Sequence, residues 1–427
     1  MLNDPRSHGL WEMTAPPAPR TGALEGQVYA QIAVIGAGYT GLSTALHLAE
    51  RGVDVVLIEA VEIGYGAAGR NVGLVNAGMW VMPEDLVGTL GADQGNRLID
   101  FLGEGPAHVW DVIRRYDIAC EANHVGTLHA AVGDKGQAEL AERARQWQAR
   151  GAPVRLLDKA QAAAMLGTDH YSGALLDERA GTIQPLAYAR GLAHAVLRAG
   201  GRIFTASPAT QIAREGGLWR IQTPKGQLIA PRVVMATDAY TQAIMPQIRT
   251  QQVHLPYFNL ATPPLPADVA ASIVPGRQGV WDTKEVLSSF RFDARNRLVF
   301  GSVGALRGTG ASVHAAWARR MMCRIFPQLG PVSFEAQWYG KIGMTSDNLP
   351  RFHRLDDGMF AFCGYNGRGI APGTAFGRCL AAYLCDELGD ADLPLQPSTP
   401  QATPMRSLRE AWYEAGAQLV HLAEARF

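Results

Sequence analysis

A glycine turn in the N-terminal part of the sequence has the residue types and the spacing that dinucleotide binding requires. Gly36, Gly38 and Gly41 follow a short apolar run and precede a segment with apolar residues at helical spacing. Glycines in this pattern permit a tight turn, a close approach of the backbone to a pyrophosphate and close packing of a helix on a strand. Glu59 ends the next apolar run, where a carboxylate suits a free ribose 2′-hydroxyl better than a 2′-phosphate. The sequence therefore predicts a βαβ unit that binds a dinucleotide.

Two further glycine-rich segments favour a flavin over a nicotinamide. Residues 64–74 follow the second predicted strand, and residues 364–369 follow a strand-like run nearer the C-terminus. A nicotinamide dehydrogenase needs only one glycine turn, whereas additional backbone amides can stabilise the negative charge that forms at N1 and O2 of a reduced isoalloxazine ring. Arg70 adds a positive charge near a phosphate or the flavin in this interpretation, and the alternative is a surface arginine in a loop.

Strand-like and helical segments alternate along the rest of the chain, which predicts two domains between which the chain crosses more than once. Strand-like runs at 252–262, 286–292 and 297–303 predict an antiparallel sheet that walls a substrate pocket. The predicted fold class is α/β, or α+β, with a Rossmann-like FAD-binding domain and an antiparallel-sheet substrate domain. We predict a discontinuous FAD-binding domain over residues 28–85, 150–250 and 336–400, a substrate domain over 86–149 and 251–335, and a C-terminal helical tail over 401–427.

The balance of positive and negative charge argues against a nucleic-acid-binding protein. The 427 residues include 39 Lys and Arg and 39 Asp and Glu, so no excess of positive charge faces a phosphate backbone. The five cysteines and eleven histidines show no metal-ligand spacing, and we predict a reduced chain with no metal site. No run of about 18 apolar residues predicts a membrane span. We expect a cytoplasmic monomer or homodimer whose tail packs on the body, with pairing of protomers or contact with the inner membrane as alternatives for the tail.

Over about residues 28–383, these motifs together resemble the FAD-dependent D-amino acid oxidase-like family, which includes glycine, sarcosine and γ-glutamylputrescine oxidases. Within that family, the sequence is most similar to bacterial L-pipecolate oxidases. Besides the first glycine turn, the resemblance rests on Gly69-Arg-Asn-Val-Gly-Leu-Val-Asn-Ala-Gly-Met-Trp80, Gly126-Thr-Leu-His129, Trp281-Asp-Thr283, Val286-Leu-Ser-Ser289 and Gly364-Tyr-Asn-Gly-Arg-Gly369.

The resemblance implies a non-covalent FAD. In monomeric sarcosine oxidases a cysteine in the segment matching Trp338–Pro350 bonds covalently to the flavin, and Gly340 occupies that position here. The cofactor-binding residues that we predict from the glycine motifs and the resemblance are Gly36, Ala37, Gly38, Tyr39, Thr40, Gly41, Glu59, Ala60, Gly66, Ala67, Gly69, Arg70, Asn71, Val72, Gly73, Leu74, Ala236, Thr237, Trp338, Gly340, Gly364, Asn366, Gly367, Arg368, Gly369 and Ile370.

The substrate site requires a cation for an amino acid carboxylate, and arginine is the natural donor. Glycine oxidase has such an arginine where this chain has Ile342, so we predict Arg368 or Arg291 instead. The alternatives are a loop-bracing salt bridge for Arg368 and a cross-strand ion pair for Arg291. Lys341 is expected to promote the reaction of the reduced flavin with oxygen, with surface solvation as the alternative. Aromatic residues that the resemblance places near the pocket, and that could instead pack in the core, are Tyr257, Phe258, Trp281, Trp338 and Tyr365.

The resemblance implies oxidation of a cyclic secondary amino acid, with L-pipecolate as the expected substrate. Hydride transfer to flavin N5 yields Δ1-piperideine-6-carboxylate, and O2 or a respiratory acceptor such as a quinone or an electron-transfer protein reoxidises the flavin. One alternative is an oxidase of a polyamine conjugate, such as γ-glutamylputrescine, or of another N-substituted amino acid. A second alternative is a non-catalytic flavin-binding protein.

Overall fold

A computed structural model describes residues 8–424 of the chain. The strands within this range are β1 (Gly26–Tyr29), β2 (Ile32–Ile35), β3 (Val55–Ile58), β4 (Leu74–Val75), β5 (Thr127–Ala131), β6 (Val154–Leu157), β7 (Gly173–Asp177), β8 (Gly181–Thr182), β9 (Arg202–Phe204), β10 (Gln211–Glu215), β11 (Leu218–Gln222), β12 (Gly226–Ala230), β13 (Arg232–Met235), β14 (Val253–Ala261), β15 (Gly279–Asp282), β16 (Ser288–Phe292), β17 (Leu298–Val303), β18 (Ala336–Met344), β19 (Arg351–Asp356) and β20 (Met359–Cys363).

The α-helices in the same range are α1 (Leu10–Thr14), α2 (Tyr39–Ala49), α3 (Pro83–Leu90), α4 (Ala92–Gly103), α5 (Gly105–Tyr116), α6 (Gly133–Gln148), α7 (Lys159–Leu166), α8 (Pro185–Arg198), α9 (Pro246–Gln251), α10 (Ala267–Ser272), α11 (Thr309–Ile325), α12 (Ile370–Leu384) and α13 (Arg406–Ala423). Four short 3-10 helices, at Ala67–Gly69, Asp238–Tyr240, Pro327–Leu329 and Asp390–Asp392, complete the regular structure of the described residues.

A six-stranded, mostly parallel sheet forms the Rossmann-like part of the fold, in the order β19-β20-β13-β2-β3-β9. Neighbouring strands are parallel except for the edge pair β19 and β20. Side chains of β2 and β3 alternate between the two faces of the sheet. On one face, residues such as Val34 pack against the helices α2, α8 and α12. On the other face, residues such as Ala33 pack against a four-stranded sheet with the order β1-β12-β11-β10. Because both faces are covered, these strands are apolar along their whole length. The predicted βαβ unit is confirmed as β2-α2-β3.

An eight-stranded sheet forms the second part of the fold, in the order β18-β14-β17-β16-β15-β5-β7-β6. Its pairs are antiparallel except for β15 and β5. The predicted antiparallel sheet is therefore confirmed, and strands β14, β17 and β16 are consecutive neighbours in it. Helices α7 and α11 pack on one face of this sheet around the side chains of Phe258, Phe290 and Trp317.

The predicted domain boundaries differ from the observed layers at three places. Strands β6 and β7 belong to the eight-stranded sheet, although residues 150–250 were assigned to the FAD-binding domain. Strand β18 also belongs to that sheet, because it pairs with β14 along all nine residues of each strand. Helices α4 and α5 pack against α12, on the Rossmann side. Pairing between strands that are far apart in the chain decides these memberships, and local sequence patterns do not encode that pairing.

The C-terminal helix α13 lies across β14 and α11, so the described part of the tail packs on the body, as expected. Its polar side faces inward: Glu410 pairs with Arg249, and His421 is buried against His314. Its exposed side chains are mainly apolar and include Leu408, Trp412 and Leu419. Residues 425–427 of the predicted tail lie outside the described residues. Among the described helices, none is long and apolar enough to span a bilayer.

Candidate active site

A cavity of about 1260 Å³ lies between the carboxyl ends of the parallel strands and the eight-stranded sheet. Its lining includes Glu59 after β3 and Ala236 after β13 on one side, and Tyr257 on β14 and Gly340 on β18 on the other. Ligands of open α/β sheets bind at this edge. Pockets for drug-sized ligands measure about 300–1,000 Å³, so this cavity has room for a dinucleotide together with a small substrate.

The three glycines of the N-terminal turn have different surroundings, and these surroundings fit a dinucleotide cradle. Gly36 has a φ of 112°, and a Cβ there would lie 2.7 Å from the carbonyl oxygen of Ala236. A Cβ at Gly41 would lie 2.0 Å from the carbonyl oxygen of Gly36. At Gly38, by contrast, the nearest neighbour of an added Cβ is the Cβ of Ala68, 3.9 Å away. The backbone itself requires the first and third glycines, whereas the second leaves space for a ligand.

The N-terminus of α2 and the carboxylate of Glu59 supply complementary partners for such a ligand. Gly38 is the N-cap of α2, so no side chain caps the first N–H groups of the helix, and these groups can bind an anion. The carboxylate of Glu59 accepts hydrogen bonds from the N–H groups of Ala37, at 2.8 Å, and Val61, at 3.1 Å. Desolvation raises the pKa of Glu59, and these two N–H groups oppose that shift.

Arg70 is buried in the cavity wall, so the alternative of a surface loop arginine was wrong. Its guanidinium lies 4.5 Å from the ring centre of Tyr65 and 5.6 Å from that of Tyr240. Its carbonyl oxygen accepts hydrogen bonds from the indole N–H of Trp338, at 3.0 Å, and from the amide of Asn259, at 3.1 Å. Two strands of the eight-stranded sheet therefore position this cation next to the cavity.

Most of the predicted cofactor-binding residues do line the cavity: Gly36, Gly38, Tyr39, Thr40, Glu59, Ala60, Gly66, Ala67, Arg70, Asn71, Val72, Leu74, Ala236, Thr237, Gly340, Asn366, Gly367, Arg368, Gly369 and Ile370. The others lie behind this lining: Ala37, Gly41, Gly69, Gly73, Trp338 and Gly364. For these six we correct the expectation of a direct cofactor contact, because their observed contacts support the wall. Trp338, for example, holds the carbonyl group of Arg70, and Gly41 packs against Gly36.

Asp238, which follows β13, is a carboxylate of the cavity lining that the sequence analysis missed. Its Oδ1 accepts hydrogen bonds from the backbone N–H of Gly364, at 2.7 Å, and from the side-chain amide of Gln252, at 3.1 Å. Burial raises the pKa of Asp238 to about 6, although these hydrogen bonds favour the ionised form. Its position at the carboxyl end of a parallel strand was a usable signal.

The raised pKa of Asp238 makes the stability of the cofactor-free protein depend on pH. Since the folded protein binds this proton more tightly than the unfolded chain, the free energy of unfolding falls as the pH rises from about 4 to above 6, and the ionised group costs about 3 kcal/mol at pH 8. Asp238→Asn keeps the Oδ1 acceptor but removes the charge. We expect its stability advantage over the wild type to grow by about 2 kcal/mol between pH 4.5 and pH 8 in urea unfolding.

The exposed residue Asp268 provides the matched control, and Asp268→Asn should follow the wild-type profile. The difference between wild type and Asp238→Asn isolates this one group from the buried histidines, which titrate in the same range. If the free energies of unfolding of the wild type and of Asp238→Asn depend on pH in the same way, the raised pKa of Asp238 is contradicted.

Arg368, in the last glycine turn, presents a buried cation to the cavity. Its guanidinium lies 4.7 Å from the ring centre of Trp80 and 5.3 Å from that of Trp281, and Nη1 donates a hydrogen bond to the carbonyl oxygen of Ala77 at 2.9 Å. Burial and the neighbouring Arg143 lower the pKa of Arg368 to about 9. Within residues 8–424, no carboxylate forms an ion pair with it, so the loop-bracing salt bridge is not what the structure shows.

Arg291 does not reach the cavity, which corrects its prediction as a carboxylate ligand. Its guanidinium donates hydrogen bonds to the carbonyl oxygens of Ile183 and Phe292 and lies over the ring of Trp11. The carboxylate of Glu121 is 4.0 Å away. Arg291 thus joins the eight-stranded sheet to the N-terminal helix α1, in place of the simple cross-strand ion pair that was its alternative.

The other predicted site residues line the cavity in different roles. Lys341 is partly buried there, and desolvation and the nearby Arg249 lower its pKa. The hydroxyl groups of Tyr257 and Ser289 are hydrogen-bonded at 2.6 Å across the eight-stranded sheet. The hydroxyl group of Tyr365 is hydrogen-bonded at 2.6 Å to Thr40 on α2, so Tyr365 joins the last glycine turn to the first.

Comparison with known proteins decides the family. Residues 31–383 match the family described as DAO, FAD dependent oxidoreductase. The chain belongs to this family. It is therefore an FAD-dependent amine or amino acid oxidoreductase, and the alternative of a non-catalytic flavin-binding protein is set aside. The cradle at Gly38, the free N-terminus of α2 and Glu59 are the features of this chain that fit FAD.

The relatives of this DAO family member include oxidoreductases of amines and amino acids. It is 35% identical over 375 residues to gamma-glutamylputrescine oxidoreductase of Escherichia coli, covering 86% of each chain. It is 23% identical to sarcosine oxidase subunit beta of Rhodobacter capsulatus, covering 87% of each chain. The crystal structure of glycine oxidase from Geobacillus kaustophilus superposes with a TM-score of 0.69 at 19% identity, covering 85% of this chain and 96% of that chain, which confirms the fold.

The sequence analysis did not predict a role for two residues of the site, Trp80 and Tyr240. Trp80 flanks Arg368 and donates its indole N–H to the carbonyl oxygen of Asn366 at 2.5 Å. Tyr240 accepts a hydrogen bond from the backbone N–H of Lys341 at 3.1 Å. Trp80 ends the glycine-rich string that carried the family resemblance, so its type and position were visible, but its partner lies 286 residues further along the chain.

Proposed function

We propose that this DAO-family enzyme oxidises a cyclic secondary amino acid, and that L-pipecolate is its substrate. The observation that carries the proposal is the buried guanidinium of Arg368 between Trp80 and Trp281 on the cavity wall. A carboxylate that binds there gains a charge-assisted hydrogen bond in a partly dry site. The two indole rings provide apolar surface that suits an alicyclic ring.

The side chains of the cavity favour the neutral form of the substrate amine. Arg368 and Lys341 both line the cavity and both carry positive charge, so they disfavour a further cation in the cavity. Bound FAD supplies the hydride acceptor that the oxidation of a C–H bond next to nitrogen requires. With the amine neutral, its lone pair assists hydride loss, and the expected product is Δ1-piperideine-6-carboxylate.

The cavity lining supports a non-covalent FAD. All five cysteines lie within the described residues, and none of them is among the residues that line the cavity. Gly340 is part of the lining, at the position where the sarcosine oxidase resemblance has its flavin-linked cysteine. Denaturation should therefore release FAD into solution.

Anaerobic absorbance spectroscopy of the flavin-loaded enzyme tests the proposed substrate. We expect L-pipecolate to bleach the flavin band at lower concentration and faster than L-proline, sarcosine or γ-glutamylputrescine. Bleaching by one of the other amines alone would keep the reaction class and reject the substrate. An enzyme that none of these compounds reduces would remove the support for the whole proposal.

A second candidate substrate is a polyamine conjugate of the γ-glutamylputrescine type. The 35% identity to gamma-glutamylputrescine oxidoreductase favours it. The cavity lining also includes Leu255, Leu287, Val303, Lys284 and Glu285, and the volume of about 1260 Å³ leaves space for a longer molecule. Preferential bleaching by γ-glutamylputrescine in the same titration would select this candidate.

For the electron acceptor, we propose that Lys341 promotes the reaction of the reduced enzyme with O2. Its ammonium group adds a positive charge to the cavity, which stabilises the negative charge that forms as oxygen accepts an electron. We expect Lys341→Met to lower the rate constant of reoxidation by oxygen by about 10²-fold while the rate of reduction by substrate changes little. Stopped-flow mixing of reduced enzyme with oxygenated buffer measures this, with the exposed Lys159→Met as control.

If the wild-type reduced enzyme instead reacts slowly with oxygen and rapidly with a quinone, the acceptor is respiratory. In that case the exposed apolar side of α13 supports a peripheral contact with the inner membrane.

A further inference from the structure

A second, small cavity of about 20 Å³ lies beside Arg368, between the large cavity and the eight-stranded sheet. Arg368 and Trp281 line both cavities, whereas His129 on β5 and Arg143 on α6 line only the small one. A space of about 10–15 Å³ already admits one water-sized particle. The small cavity therefore has room for a single small ligand.

The residues that line this small cavity carry unpaired nitrogen atoms. Within the described residues, Nε of Arg143, Nε of Arg368, Nε1 of Trp281 and Nδ1 of His129 have no hydrogen-bond partner. These four residues are each more than nine-tenths buried. A buried polar group without a partner destabilises the protein, because it has lost its hydrogen bonds to water. Four such groups around one space indicate a bound ligand.

The donor chemistry of these nitrogens favours an anion over water. The nitrogens of Arg143, Arg368 and Trp281 can only donate hydrogen bonds. His129 is not one of the donors, because its ring is hydrogen-bonded to the backbone of Asp282 and burial lowers its pKa, which leaves Nδ1 of the neutral ring as an acceptor. A water oxygen has two lone pairs and cannot accept from all three donors, whereas a spherical anion can.

The charge around the small cavity also favours an anion. Two guanidinium groups line it, and the carboxylate of Asp177, which also lines it, is already paired with Arg179 at 2.7 Å. Arg143 has one carboxylate partner, the half-exposed Glu139 at 3.5 Å. The net charge around the small cavity is therefore positive, and one monovalent anion neutralises it.

We propose that the small cavity binds one monovalent halide ion, such as chloride, between Arg143 and Arg368. The ion accepts hydrogen bonds from the buried Nε side of Arg368 and leaves the side that faces the large cavity for the substrate. Arg143 also donates hydrogen bonds to the carbonyl oxygens of Met79, at 3.3 Å, and Trp80, at 2.8 Å. The ion therefore completes the contacts that hold Trp80 against Arg368. This site does not depend on which amine the enzyme oxidises.

Bromide provides the direct test, because it scatters anomalously and water does not. Crystals of the flavin-loaded enzyme grown in bromide should show an anomalous difference peak in contact with the donor nitrogens of Arg143, Arg368 and Trp281. In solution at constant ionic strength, replacing gluconate by chloride should raise Tm saturably, by about 2–4 °C. Arg143→Gln should abolish that rise, while Arg145→Gln, on the exposed side of the same helix, should keep it.

Density without an anomalous signal in the small cavity would identify a water molecule and overturn the proposal. An equal chloride response in Arg143→Gln would assign the effect to adventitious surface ions, with the same consequence. If Arg143→Gln does not fold, the bromide crystal of the wild type decides alone.

Discussion

Replacement of Arg368 by alanine is expected to lower kcat/KM for L-pipecolate by about 10²- to 10³-fold. The physical reason is that truncation of one partner of a buried, hydrogen-bonded charge pair costs roughly 2–5 kcal/mol, most of it because the carboxylate is left without a cation. Arg368→Lys keeps the charge but loses the planar donor pair, so we expect an intermediate loss. Steady-state kinetics of the flavin-loaded variants measures both effects.

A substrate analogue without a carboxylate separates this binding role from general damage to the site. Piperidine retains the ring and the amine of L-pipecolate, so Arg368→Ala should change kcat/KM for piperidine far less than for L-pipecolate. Equal losses for both compounds would show that Arg368 supports the fold or the flavin instead. Since Arg291 lies away from the cavity, a large and carboxylate-specific loss in Arg291→Lys, with wild-type values in Arg368→Ala, would reverse our assignment.

Replacement of Gly38 by valine is expected to weaken FAD binding without unfolding the protein. An added Cβ at Gly38 meets no protein atom closer than 3.9 Å, and the backbone of Gly38 has a φ of −88°, which valine adopts without strain. The side chain therefore occupies ligand space at the N-terminus of α2. Overpacking of a well-fitted contact costs about 1–3 kcal/mol, so we expect a loss of FAD affinity of about 10- to 10²-fold.

The visible spectrum of purified Gly38→Val during titration with FAD, together with its Tm as cofactor-free protein, measures the two parts of this prediction. Gly22 is the matched control, because a Cβ there meets nothing within 4 Å and Gly22 lies outside the cavity lining, so Gly22→Val should retain FAD. By contrast, Gly41→Val should fail to fold, since its Cβ would overlap the carbonyl oxygen of Gly36. A Gly38→Val protein that binds FAD as tightly as the wild type would show that the pyrophosphate does not approach this glycine.

The cofactor part of the site was predictable because its information is local. The turn from Gly36 to Gly41, the apolar strands on either side and Glu59 lie within 28 residues, and their spacing is set by the geometry of one βαβ unit. For the same reason Gly38 and Glu59 were assigned correctly to the cavity lining. Ala37 and Gly41 share the motif but lie behind the lining: the N–H of Ala37 holds Glu59, and Gly41 packs against Gly36. Only the tertiary contacts reveal this distinction.

The sequence by itself determined the FAD cradle and the presence of two different sheets, because short-range periodicity and glycine spacing encode them. The family followed from the resemblance of its motifs, which the match over residues 31–383 confirms. The sequence did not separate Arg368 from Arg291, which are both buried arginines next to glycine or strand patterns. Tertiary structure decided between them: Arg368 meets Ala77, which lies 291 residues earlier, whereas Arg291 meets Ile183, away from the cavity. The membership of β18 in the eight-stranded sheet was decided in the same way. The neighbours of a buried side chain come from distant parts of the sequence, so they are fixed only when the whole chain folds. Those neighbours determine how deeply the side chain is buried and which charges surround it.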